Sequence, residues 1–269
     1  STLAVLGSRL GHVSPFLSVG VALTLGGLVG LVRFRDWRVP LRTFALGVGG
    51  IFGYHALLFA AFRRAPAVEV NLLQYLWPVL IVVLTPVYLP GRRLGVHHVV
   101  GACLGLTGAG LVISGGRLSL DLAGLPGYLL ALAAALTWAS YSLLTARVRP
   151  FASAAVGGFC LVSGLLSLAL FGLQSLAASD VPPVLSRGDL ILLGVLGLGP
   201  MGAAFYTWDA ALKRGDPRII GALAYLAPLL STLNLVLFGG RPLSGVALAA
   251  MGLIVAGAVV GVGEGAKGS

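Results

Sequence analysis

The chain is written in long apolar runs separated by short charged stretches. Nine full runs stand out, near 15–32, 43–62, 68–89, 96–114, 126–146, 152–173, 190–212, 218–238 and 244–262. Each approaches the roughly 20 residues a helix needs to cross a hydrocarbon core. They are continuous and rich in Leu, Ala and Gly, without the alternation that marks a barrel strand. The pattern predicts an all-α membrane protein. Residues 1–13 read as the tail of one more helix, giving ten helices with the first only partly present. The chain opens on Ser1, with no charged segment or cleavage site of the kind a signal peptide carries.

Composition agrees. Of 269 residues 58% are hydrophobic and 10% charged, and the mean hydropathy is +1.00. A soluble domain carries about 25% charge, so a water-soluble globule is excluded. Cys103 and Cys160 both lie inside apolar runs and read as small buried hydrophobes rather than a disulfide. The net charge of +10 does not call for nucleic acid, because the cations sit in the loops between the runs.

Those loops alternate in charge. Arg33, Arg35, Arg38 and Arg42 follow the first full run. Arg92 with Arg93, Arg147 with Arg149, and Lys213 with Arg214 and Arg218 follow in alternate loops. The intervening loops are poorer: Arg63 and Arg64 meet Glu69, Arg117 meets Asp121, and Arg187 meets Asp180 and Asp189. The positive-inside rule makes the rich set cytoplasmic. Both termini then fall on the cytoplasmic side of a cell inner membrane.

The chain also repeats. Residues 60–80 (AAFRRAPAVEVNLLQYLWPVL) align without gaps to 210–230 (AALKRGDPRIIGALAYLAPLL) at an offset of 150. Tyr75-Leu76 then meets Tyr225-Leu226, and Pro78 meets Pro228. A second match sets SLLTAR at 142–147 against AVLGSR at 4–9. The repeats divide at residues 1–120 and 121–269. Five helices per repeat is an odd number, so the second copy enters from the opposite side, the inverted-topology arrangement of many secondary transporters. The alignment leaves the first helix without a stretch matching about 126–138.

Two five-helix repeats, the Y-L-x-P-x-L element in both halves and the mid-helix Thr137-Trp138-Ala139 resemble the EamA-type drug/metabolite transporter superfamily. Within it, Tyr54-His55 on the third helix and Tyr75 and Trp77 on the fourth look like the YddG type of aromatic amino-acid exporter. The resemblance implies a ten-helix inner-membrane carrier that exports amino acids by alternating access around a central cavity.

Candidate site residues follow from depth and chemistry. His55 lies about 18 Å into its run, near the midplane of a core roughly 30 Å thick. Trp138 is similarly deep, and Tyr225 mirrors Tyr75. Trp37, Tyr88, Tyr128, Trp208 and Tyr206 fit interfacial belts, but Tyr54, Tyr75, Trp77 and Trp138 are too deep for them. Buried in lipid, their polar tips would be unpaired, so they face protein or a wet cavity. Aromatic walls suit a flat amphipathic ligand. Asn71 and Gln74, spaced i, i+3, could meet its zwitterionic end. For each the alternative is structural: Asn71 could bond a neighbouring helix, and His55 could be neutral and bonded to a backbone carbonyl. The substrate-binding set is thus Tyr54, His55, Asn71, Gln74, Tyr75, Trp77, Trp138 and Tyr225. Pro78 and Pro228 are candidate hinges, or passive kinks. Gly26/Gly30, Gly49/Gly53, Gly101/Gly105 and Gly257/Gly261 read as close-packing faces.

No carboxylate falls near mid-membrane, so facilitated or weakly proton-linked efflux is expected rather than tight proton coupling. The partners implied are small amino acids and the lipid bilayer, without nucleic acid, an obligate protein partner, a cofactor or a metal. A broader drug or metabolite exporter is the nearest alternative, since fold does not fix substrate. A lipid-processing enzyme would need converging acid, base and nucleophile. His97-His98 beside Arg92-Arg93 is its sole candidate cluster, and the sequence puts no carboxylate near it.

Overall fold

The structure, a computed structural model, describes residues 10–115, 121–178, 184–230, 233 and 245–262. The match at residues 4–9, Arg117, Asp180 and the end of the 218–238 run lie outside those residues. Every element among the described residues is helical. In chain order they are α1 (Pro15–Val29, extended by a 3-10 turn to Trp37), α2 (Leu41–Phe62), α3 (Ala67–Gln74) and α4 (Trp77–Tyr88). Then come α5 (Val96–Ser114), α6 (Leu125–Arg147), α7 (Val156–Ala178), α8 (Arg187–Leu198), α9 (Ala204–Arg214), α10 (Pro217–Ala224) and α11 (Gly245–Val262). Taken with their breaks, seven segments are long and apolar enough to cross a membrane, and Pro217–Leu230 and Gly245–Gly261 are shorter apolar helices. Large apolar side chains point outward from them, Leu173 at 64% exposure and Val195 at 51%, as lipid contact requires.

Three apolar runs are not continuous helices. Proline has no N–H and its ring clashes with the carbonyl four residues back. Pro78 and Pro228 therefore end the preceding helices four residues upstream, at Gln74 and Ala224. Each break opens at a tyrosine, Tyr75 or Tyr225. The third was not anticipated: Pro200 and Gly199 open a wide π-type turn, Gly199–Ala203, inside the 190–212 run.

The described chain forms two compact units. One holds Ala60–Arg147 and the chain from Leu212 onward, and the other holds the chain up to Phe59 with Val148–Ala211. In the first, α5 and α11 approach through glycine. A Cβ on Gly101 would fall 2.6 Å from the Gly257 carbonyl oxygen and from the Gly261 Cα. In the second, α1 packs on α7 and α8. A Cβ on Gly27 would fall 2.6 Å from the Leu161 amide nitrogen, and one on Gly26 2.7 Å from the Gly202 Cα. The expected face at Gly49 is corrected: nothing lies within 4 Å of a Cβ there.

End contacts within each unit respect the charge alternation. Arg92 and Asp216, both from cation-rich loops, meet at 2.9 Å. His12 and Asp189, both from poor loops, meet at 3.3 Å. Gly127 abuts Ala65, and Trp37 lies over Gly158, again joining like with like.

Asp216 is a small hub. It caps α10 by accepting from the Arg218 amide, and it also takes the Arg218 Nε at 2.9 Å and Arg92 Nη1 at 2.9 Å. The Arg218 guanidinium in turn donates to the Arg93 carbonyl. Burial opposes ionisation of Asp216, but its bonds to Arg218 and the Arg218 and Arg92 charges outweigh this and hold its carboxyl below the usual range.

Two outcomes are expected in detergent-solubilised thermal melts. Gly101→Leu should cost about 3 kcal/mol or more through backbone overpacking, while Gly49→Leu should stay within about 1 kcal/mol. Asp216→Asn should cost about 1–2 kcal/mol near pH 7. Because the carboxyl value is depressed in the fold, this contribution is complete above about pH 4 and fades as pH falls below it. The wild-type and Asp216→Asn melts should therefore converge in acid.

Candidate substrate-binding site

The nominated residues fall into two groups, one per unit. The first is built around the α3–α4 break. Asn71 and Gln74 lie on α3, Tyr75 closes it by donating its amide to the Asn71 carbonyl at 3.0 Å, and Trp77 opens α4. Gln74 is buried, while Asn71, Tyr75 and Trp77 are half-buried. From α6, the Trp138 ring meets Trp77 edge-on with centroids 6.4 Å apart, and Tyr141 lies 5.3 Å from Trp138. Trp138 is 8% exposed, so the pair presents the half-open Trp77 face against a buried indole. Such edge contacts contribute about 0.5–1.5 kcal/mol beyond area burial.

Tyr225 belongs to this unit but presents no open face. It is fully buried among Ala109, Ile254, Leu106 and Val79, and its hydroxyl donates to the Tyr75 carbonyl at 2.9 Å. Its ring occupies space that Gly105 leaves by having no side chain. Pro78 and Pro228 are both buried beside their breaks.

The second group surrounds His55 on α2. His55 is 6% exposed, and its Nδ1–H donates to the Ile51 carbonyl at 2.7 Å. That bond fixes the proton on Nδ1, leaving Nε2 as the acceptor in the neutral ring. The structural alternative for His55, a backbone-bonded imidazole, is thus realised at one nitrogen. Tyr54 packs edge-on at 4.9 Å and Phe205 edge-on at 6.1 Å, Phe59 lies tilted at 6.1 Å, and Phe16 packs against Phe59 at 5.3 Å.

Sequence reasoning passed over Phe16, Phe59, Phe205 and Tyr141. Three carried a readable signal: Phe59 is i+4 from His55, Tyr141 is i+3 from Trp138, and Phe205 is the repeat counterpart of His55 at the 150-residue offset. Both units therefore contain a contact between residues 150 positions apart, His55 with Phe205 and Tyr75 with Tyr225.

Other expectations are revised. Tyr206, given to an interfacial belt, instead donates to the Gly26 carbonyl at 2.9 Å and ties α9 to α1. The His97-His98 cluster does have a carboxylate nearby, contrary to expectation, because Asp216 arrives from far along the chain to meet Arg92. Committed to Arg92 and Arg218, that carboxylate is a structural clasp rather than a free base. Among the described residues no group of three His, Cys, Asp or Glu side chains could hold a metal ion.

Apolar spans broken at prolines, with aromatic side chains beside the breaks, are those of a multi-pass membrane protein. Residues 1–114 and 125–262 match the EamA-like transporter family, and the chain belongs to that family. It is 42% identical to the aromatic amino acid exporter YddG of Ancylobacter novellus, over 97% of this chain and 92% of that one. It is 29% identical to the aromatic amino acid exporter YddG of Salmonella typhimurium, over 86% of this chain and 82% of that one. It is also 27% identical to a probable amino-acid metabolite efflux pump of Salmonella typhimurium, over 94% and 87%. A solved crystal structure superposes with a TM-score of 0.90 at 39% identity, covering 96% of this chain and 91% of the other.

Proposed function

We propose that this protein exports aromatic, and to a lesser degree other neutral, amino acids by alternating access through an aromatic-lined cavity. It does so as a ten-helix carrier of two inverted five-helix repeats in the cell inner membrane, with both termini cytoplasmic. The observation that carries the reading is the Trp77–Trp138–Tyr141 cluster in a chain 42% identical to an aromatic amino acid exporter.

In this reading the substrate ring stacks on the half-open Trp77, while Asn71 and Gln74 receive its charged end. Tyr54 and His55 contribute further contacts, with Nε2 of His55 accepting from an ammonium group. The breaks at Pro78 and Pro228 bend as the carrier changes state. Transport follows the substrate gradient, with at most a weak proton linkage through His55. The chain is read as a carrier rather than an enzyme, a reading supported by Asp216, the carboxylate near His97-His98, being held by two arginines.

The test is efflux from proteoliposomes loaded with labelled phenylalanine, tryptophan, threonine or a planar cationic drug, with and without a proton gradient. Phenylalanine and tryptophan should leave fastest, largely regardless of the gradient. Trp77→Ala and Trp138→Ala should each slow that efflux about 3–10-fold, the loss of one or two ring contacts. Movement of the cationic drug alone would instead assign a broader drug exporter of the same family.

A further inference from the structure

We propose that Tyr225 is a positioning residue whose hydroxyl latches the interrupted helix at Tyr75, and so sets the orientation of the Tyr75–Trp77 segment toward the substrate. The functional half of this inference rests on the transport reading above; the structural half does not.

The N–H that Pro78 lacks would have met the Gln74 carbonyl, and the Tyr75 carbonyl is loosened by the turn the chain makes at Tyr75 and Leu76 before helix resumes at Trp77. In an apolar interior a loosened backbone carbonyl needs another donor. The Tyr225 hydroxyl supplies one to the Tyr75 carbonyl at 2.9 Å. The donor is held firmly: Tyr225 is 0% exposed, packs on Ala109 and Ile254, and sits where Gly105 offers no side chain. A phenylalanine would fill that space equally well, so the buried oxygen calls for a reason of its own.

The latched carbonyl stands two residues before Trp77, whose ring must meet Trp138 edge-on at 6.4 Å. Rotation of the Tyr75 peptide would swing the start of α4 and carry Trp77 away from that geometry. Tyr225 also opens the second break, one residue past the end of α10. The latch therefore joins the two breaks directly, through residues that occupy the same place in the sequence repeat.

Tyr225→Phe removes only the hydroxyl. Hydrogen–deuterium exchange on the purified protein should then speed up at least threefold across residues 73–80, with exchange in α1 and α7 unchanged. In proteoliposomes the phenylalanine KM should rise about fivefold, with Vmax within twofold of wild type. Tyr225→4-aminophenylalanine, which restores a donor at the same position, should recover most of both effects. A passive structural bond would lower thermal stability and leave KM unmoved; that outcome overturns the positioning role. Unchanged exchange at 73–80 overturns the latch itself, whatever the transport data give. If wild type moves no amino acid while exchange responds as expected, the transport reading fails and the latch stands. Should Tyr225→Phe not fold, the same comparison is made between wild type and Tyr225→4-aminophenylalanine, where exchange within twofold of wild type is required.

Discussion

A helix that is interrupted inside a membrane exposes backbone groups that lipid cannot satisfy, and among the described residues this chain interrupts three of them. The prolines that cause the breaks are visible in the sequence, but what makes the breaks tolerable is visible only in three dimensions. At Tyr75 a tyrosine from 150 residues away supplies a hydroxyl. At the Gly199–Ala203 turn, Gly26 of α1 lets the irregular backbone pack closely, and Tyr206 just beyond it bonds the Gly26 carbonyl. The same constraint bears on Tyr75, Trp77 and Tyr225, which stand where regular helix stops, whereas Tyr54, Trp138 and Tyr141 lie within unbroken helices.

The helices themselves were largely legible. Their apolar runs are long, continuous and bounded by arginines, and the edges of α2, α5 and α6 fall within a residue or two of where hydropathy changes. Less legible was everything decided by a neighbour distant in sequence. Hydropathy alone cannot see a π-type turn inside an apolar run, so the 190–212 segment read as one helix. Gly49 and Gly101 look alike in sequence, yet one faces open space and the other a helix backbone. Neither the helix cap that Asp216 provides nor its anchoring of Arg92 was read from the sequence, since the second partner lies more than a hundred residues away.

The candidate site was legible in its residue types and less so in its partnerships. Depth arithmetic singled out Trp77 and Trp138, which do meet ring to ring. It treated Tyr75 and Tyr225 as equivalents because the repeat does. The fold distinguishes them, leaving the Tyr75 side chain half-buried and burying Tyr225 completely. His55 realises the structural reading at one nitrogen, which is committed to Ile51, while its ring is set among aromatic side chains. Internal symmetry thus locates important positions without assigning the same work to both copies.

The central claim is that these aromatic walls recognise a flat, amphipathic amino acid. Equilibrium binding of labelled phenylalanine to the purified protein in detergent tests it most directly, with unlabelled tryptophan, alanine and a planar cation as competitors. The account predicts saturable binding that tryptophan displaces at least tenfold more effectively than alanine or the cation. Displacement by alanine as readily as by tryptophan, or the absence of saturable binding, would contradict it.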